Sequence, residues 1–184
     1  MNARSCRWPL VLGLLVGLGL LLSACLQPTA GTSPGAPRLG QRTKTSGCQA
    51  VGALPDAACT PGAIFETATT DQICKSGYSK DVRDVPDSLK NDVYAEYGVK
   101  SRKPGEFEVD HLISLELGGS NDISNLWPEP AEPRPGFHEK DRVENYLHDQ
   151  VCSGVVPLGQ AQQQIATDWR KVFAQMPSPT PKSK

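Results

Sequence analysis

The sequence lacks a strong charge of either sign and is poor in apolar and aromatic residues. Lysine and arginine total 19 against 20 acidic residues, a formal net charge of −1. This balance argues against a protein that binds nucleic acid through bulk positive charge. Of the 184 residues, 38% are hydrophobic and 6% are aromatic. The longest apolar run, the 14 residues 9–22, is shorter than the roughly 20 residues of a membrane-spanning helix, which excludes a polytopic membrane protein.

The first 25 residues are typical of an export signal. Arg4 and Arg7 precede the apolar run, and the segment ends in Leu22-Ser23-Ala24-Cys25. This ending resembles a bacterial lipobox, which is cleaved before a cysteine that then carries lipid. We therefore expect export, lipidation of Cys25 and a lipid anchor in the bacterial cell envelope.

Composition divides the chain into four segments. Residues 1–24 are expected to be the lipoprotein signal peptide. Residues 25–47 are rich in Pro, Gly, Ser and Thr, which predicts a flexible tether. Residues 48–176 carry the periodic apolar patterns of one folded domain, and 177–184 are expected to be a disordered tail.

Four cysteines fall in the predicted domain, and none belongs to a Cys-x-x-Cys pair. A four-thiolate zinc site is therefore not expected. An even number of cysteines in an exported chain indicates two disulfides. Several pairings are open, and we favour Cys48 with Cys59 as a local loop and Cys74 with Cys152 as a long-range staple.

Helical patterns outnumber strand patterns, which predicts a small α+β domain. Apolar stripes predict helices over 87–97, 137–151 and 157–175. Alternation predicts a strand over 107–112, and 78–84 is expected to be extended. Residues 113–117 are interpreted as a second short strand or an irregular extension. Residues 128–136 contain four prolines and are expected to be irregular.

One stretch of about 40 residues carries a chemical motif. Asp110 and His111 end the predicted strand, Gly118 and Gly119 form a turn, and Asn125 follows 14 residues after His111. A further histidine, at 138, begins a predicted helix. This pattern resembles the HNH endonuclease family, which implies two short antiparallel strands and a helix around one divalent metal. The fold implied is a ββα-metal core packed with additional helices and stapled by disulfides.

The resemblance also implies a role for each motif residue. His111 would be the general base that takes a proton from water, and Asn125 would hold the loop through hydrogen bonds to the backbone. Asp110 and His138 would bind the metal, with His148 as the alternative to His138. Because neighbouring strand residues point to opposite faces, a twist or bulge is needed for Asp110 and His111 to serve one site.

The metal implied is Mg or Mn, with Zn and Ni as alternatives. Lys140 and Arg142 are candidate phosphate contacts. The chain departs from many family members because it has no Cys-x-x-Cys knuckles. The interval of 13 residues between Asn125 and His138 is also long and rich in proline.

The sequence therefore predicts a metal-dependent HNH-type endonuclease. It would hydrolyse phosphodiester bonds of DNA with low sequence specificity while tethered to the envelope. The alternative is a catalytically inactive HNH-like module that binds nucleic acid, metal or an envelope partner. A third hypothesis is a structural envelope lipoprotein. No protein partner follows from the sequence.

Overall fold

The computed structural model describes residues 39–177. The predicted signal peptide, the lipidated Cys25 and nearly all of the predicted tail lie outside these residues. The described part contains five helices and one two-stranded antiparallel sheet, which confirms the α+β class. In chain order the elements are α1 (Thr70–Ile73), α2 (Tyr78–Val82), α3 (Asp87–Glu96), β1 (Phe107–His111), β2 (Leu126–Pro130), α4 (Phe137–Cys152) and α5 (Leu158–Gln175).

The three long helices form where the apolar stripes predict them. α3 begins after Pro86, whose fixed φ suits a helix start. α4 and α5 pack against each other and bury one face each. The side chain of Trp169 on α5 is fully buried, and its indole N–H donates to the Ala53 carbonyl at 2.9 Å. The predicted helices are therefore confirmed.

The second strand is not where the sequence predicts it. β2 covers Leu126–Pro130 and includes two prolines, so the expectation of an irregular chain throughout 128–136 is wrong for its first three residues. Pro128 lies opposite Val109 and Pro130 opposite Phe107. A two-stranded ladder leaves every second backbone N–H pointing away from the partner strand. Proline is tolerated at such positions because it has no N–H to lose.

Two further expectations need correction. Residues 78–82 form the short helix α2 rather than an extended segment, and Gly77 precedes it in a left-handed conformation. Within 113–117, Leu115–Leu117 form a 3₁₀ turn, so the chain there follows the irregular alternative and not a strand. A second 3₁₀ turn, Ile123–Asn125, leads directly into β2.

Both predicted disulfides are present. Cys48 pairs with Cys59, and Cys74 at the end of α1 pairs with Cys152 at the end of α4. Residues 39–47, the last part of the predicted tether, contact the domain. For example, Thr43 N–H donates to the Ala58 carbonyl at 2.9 Å, and Arg42 forms an ion pair with Glu96.

Two apolar clusters hold the domain together. The larger lies between α4, α5 and the loop after β1, and it includes Trp127 and Trp169, both fully buried. The smaller joins α3 to the sheet through Val93, Val109 and Leu126. The sheet is therefore packed between α3 on one side and α4 on the other. Among residues 39–177, no helix is both long and apolar enough to cross a bilayer.

Candidate functional site

Asp110 and His111 lie at the end of β1, where the ladder pairs them with Trp127 and Leu126. The register is regular and contains no bulge. Neighbouring side chains of such a strand point to opposite faces, and the two residues accordingly have different partners. Asp110 contacts α4 through Lys140, whereas the imidazole of His111 contacts Asn121 in the following loop. The strand therefore has no bulge that would bring the two side chains to one site.

The imidazole of His111 is held in one orientation. His111 is only 1% exposed, and its Nε2 lies 3.1 Å from Asn121 Oδ1. The amide of Asn121 is itself oriented, because its Nδ2 donates to the Val82 carbonyl at 2.7 Å. This hydrogen-bond pattern assigns the proton of a neutral imidazole to Nε2. The lone pair is then on Nδ1, which has no hydrogen-bond partner in the described part of the chain.

Burial keeps this imidazole neutral. Loss of hydration lowers the pKa of His111 to about 4, although the hydrogen bond to Asn121 and the charge of Asp110 oppose the shift. The positive charges of Arg83 and Lys140 act in the same direction as burial. At neutral pH, Nδ1 therefore carries an unprotonated lone pair, although the atom is buried.

Asn125 ties the loop after β1 to its surroundings. It is fully buried, and its Oδ1 accepts from the backbone N–H groups of Ile113 at 2.9 Å and Ala63 at 3.3 Å. Its Nδ2 donates to the carbonyls of Ile113 at 2.9 Å and Ser120 at 2.8 Å. The side chain thus makes the backbone hydrogen bonds that the motif predicts. Gly119 lies in the same loop, where a Cβ atom would collide with the Ile113 carbonyl.

The first turns of α4 contribute a buried cation. Lys140 is 0% exposed, and its Nζ donates to Asp110 Oδ2 and to the His111 carbonyl, each at 2.7 Å, and to Glu144 Oε1. These three contacts use all three N–H bonds of the ammonium group. A third carboxyl group, Glu129, has Oε2 3.9 Å from Nζ.

The carboxyl groups around Lys140 do not share one charge state. Burial would raise the pKa of Asp110, but Lys140 overcomes it and holds that pKa below the usual value. Burial raises the pKa of Glu144 to about 8 and that of Glu129 well above its usual value, and the charge of Asp110 adds to both shifts. Burial would lower the pKa of Lys140, but the surrounding carboxylates raise it above its usual value. The group therefore centres on a Lys140–Asp110 ion pair, and burial favours the protonated form of the two glutamates beside it.

The predicted metal ligands do not fit a metal ion as they stand. Asp110 is only 8% exposed, and its Oδ2 is engaged with Lys140. His138 is exposed beside Phe137, with the two ring centroids 4.3 Å apart. His148 lies eight residues beyond Lys140 on α4, about 12 Å further along the helix axis. Its Nε2 contacts the Ile73 carbonyl at 3.1 Å. Neither histidine is brought to Asp110 by the contacts of the described residues.

The described residues do contain one close group of three metal-ligand residue types. Ligand atoms of Cys74, His148 and Cys152 all lie within 4.8 Å of one another. Such a group could bind a metal ion. Because the two cysteines are joined in a disulfide, their sulfurs become thiolate ligands only after reduction.

The structure also changes the set of phosphate-binding candidates. Lys140 is buried and fully hydrogen-bonded, so it cannot serve as the predicted phosphate contact in this conformation. Arg142 is exposed, with its guanidinium 5.2 Å from the centre of the Phe173 ring. Arg83, which the sequence reasoning missed, is exposed and close enough to lower the pKa of His111. Asn121 was also missed, although it lies inside the Gly-Gly turn motif.

Comparison of the chain with family models finds no match, and comparisons with curated proteins and with solved structures find no significant one.

Proposed function

We propose that this chain is an exported phosphodiester hydrolase of the HNH type that cleaves DNA with low sequence specificity. The observation that carries the proposal is the state of His111: a neutral imidazole, fixed through Nε2, with an unpaired Nδ1. General-base catalysis needs a group of this kind to take a proton from water. The chain order β1, β2 and α4, with α4 packed on the end of β1, adds support.

One exposed positive charge that acts on His111 suits a phosphate substrate. Arg83 is exposed, and its charge lowers the pKa of the imidazole, whereas Arg142 is exposed on α4 with its guanidinium over the Phe173 ring. An exposed cation of this kind would contact a backbone phosphate without reading bases. This matches cleavage with low sequence preference and a protein with little net charge.

The resemblance to the HNH family implies a dependence on Mg or Mn, but the role proposed for His111 does not require a metal. Asp110 would first have to release Lys140, and His138 would have to approach from the protein surface. The lipid anchor at Cys25 is likewise proposed from the sequence. The two disulfides are consistent with an extracellular or periplasmic protein, because disulfides persist in oxidising compartments.

The second candidate is the inactive binding module, and the burial of His111 favours it. Because Nδ1 is buried, a substrate reaches the base only if the residues that cover this atom move. A domain in which Nδ1 of His111 is never exposed would have the HNH-like fold but no nuclease activity.

Plasmid nicking separates the two candidates. The full-length chain, purified in detergent with its disulfides intact, is incubated with supercoiled DNA in Mg²⁺, in Mn²⁺ and in EDTA. We expect nicking by the wild type and none by a folded His111→Ala variant. The paired variant His138→Ala reports whether the exposed histidine contributes. Absence of nicking by folded wild type in all three conditions would favour the binding module.

A further inference from the structure

The buried group at the N-terminal end of α4 has the composition of a cation site. Asp110, Glu129, Glu144 and the His111 carbonyl present only oxygen atoms toward a common centre. Oxygen ligands of this kind are those that Mg²⁺, Mn²⁺ and Ca²⁺ take in proteins. The centre is occupied by the Nζ of Lys140.

The ammonium group of Lys140 occupies the centre of these oxygen atoms, where a metal ion would bind. Its three N–H bonds meet three oxygen acceptors, one from β1, one from the β1 backbone and one from α4. Glu129 is left over: it is 0% exposed, and neither of its carboxyl oxygens has a hydrogen-bond partner in the described part of the chain. The carboxyl group of Glu129 borders both Asp110 and the cation, so it offers a further oxygen ligand to the same centre.

We propose that Asp110, Glu129 and Glu144 form a cation site whose resident cation is the ammonium group of Lys140, so that the wild-type chain holds no divalent ion there. A substitution that removes the ammonium then opens the same oxygen-lined centre to a hard divalent cation. Lys140 is on this account a positioning residue: it joins α4 to the end of β1 and touches no substrate.

The proposal concerns the same region as the proposed nuclease site but is tested without nucleic acid. Its failure is therefore distinguishable from failure of the nuclease. The first arm measures Mn²⁺ binding to the full-length wild type by electron paramagnetic resonance at pH 7.5. We expect no stoichiometric Mn²⁺ binding that depends on Asp110, and the same melting temperature in Mn²⁺ and EDTA. Stoichiometric binding that is lost in Asp110→Asn would overturn the proposal.

The second arm uses Lys140→Met, with Lys171→Met as the matched control because Lys171 is exposed on α5. In EDTA we expect the melting temperature of Lys140→Met to fall by about 10 °C or more, because buried carboxyl groups lose their partner. Added Mn²⁺ should raise it by about 5 °C or more, and it should leave the control unchanged.

Lys140→Arg provides a further check, since it keeps the positive charge and should gain no Mn²⁺ site. If Lys140→Met is unfolded in EDTA and folds on addition of Mn²⁺, the proposal is supported. If it is as stable as the wild type, or stays unfolded with and without Mn²⁺, the proposed exchange of ammonium for metal is wrong.

Discussion

At the residue scale, the hydrogen bonds of Asn125 are the strongest link between the motif and the fold. One side chain bonds to the backbone of three residues that lie far apart in the loops around β1: Ala63, Ile113 and Ser120. Its role could be predicted because an amide both donates and accepts, and the motif places it beside a glycine turn. The resulting geometry fixes the loop on which Asn121 orients His111.

Removal of this amide should be costly. Asn125→Ala leaves buried backbone groups without partners, and we expect a loss of about 3 kcal/mol in the free energy of unfolding. The exposed Asn145→Ala on α4 is the matched control and should change stability by less than about 1 kcal/mol. Urea denaturation measures both. Similar values for the two variants would contradict the role assigned to Asn125.

The buried lysine could not be predicted, because lysine is almost always exposed. The spacing of Lys140 and Glu144 by one helical turn is a usable signal, but it is common on solvated helix faces. Whether Lys140 is buried depends on which face of β1 packs against α4. That face is in turn set by where β2 pairs with β1. Because Lys140 is buried, it cannot contact phosphate as predicted. Because Asp110 is paired with Lys140, it is not free to bind a metal ion.

The raised pKa of Glu144 predicts how stability depends on pH. In the folded protein this pKa is about 8, whereas in the unfolded chain it is near 4.3. The folded state therefore binds the proton more tightly, and the stabilisation is complete below about pH 4.3 and is lost as the pH rises through 8. Glu144→Gln should flatten the decline in unfolding free energy between pH 5 and 8. Parallel curves for the variant and the wild type would contradict this assignment.

At the scale of elements, sequence periodicity predicts the helices well and the sheet only in part. α4 and α5 bury mainly apolar residues along one face, and α3 buries Val93 and Tyr94. This spacing can be read from the sequence of each helix by itself. β2 has no alternating signal of its own because two of its five residues are prolines. Its strand conformation comes from pairing with β1, which is a tertiary interaction that no local pattern contains.

The two disulfides connect elements at very different sequence distances. Cys74–Cys152 spans 78 residues and joins α1 to α4, whereas Cys48–Cys59 spans 11. The loop-entropy model assigns about 4.5 kcal/mol to the first and about 3 kcal/mol to the second. Replacing each pair by serine should therefore lower the urea midpoint more for Cys74 and Cys152. The reverse order would show that the loop-closure model does not describe this domain.

At the scale of the whole molecule, the predicted export signal precedes a domain that contains two disulfides. Residues 39–47, at the end of the predicted tether, contact the domain. A lipid at Cys25, as the sequence predicts, would hold this domain at the membrane surface.

The anchor itself is testable by fractionation. In a bacterial host, the wild-type chain should partition with membranes, and Cys25→Ser should not be lipidated. Detergent phase partitioning or labelling with a fatty acid analogue measures this directly. Cys48→Ser is the control, since it also removes one cysteine but leaves the predicted lipid site. Equal labelling of Cys25→Ser and the wild type would contradict the predicted anchor.

The most direct test of the central claim is the rate of plasmid nicking between pH 4.5 and 8. A base with a pKa of about 4 stays deprotonated well below pH 6.5, the usual midpoint of histidine. If His111 is the general base, the nicking rate should stay constant down to about pH 5, and folded His111→Ala should show no nicking. A folded wild type without nicking at any pH, or equal nicking by His111→Ala, would contradict it.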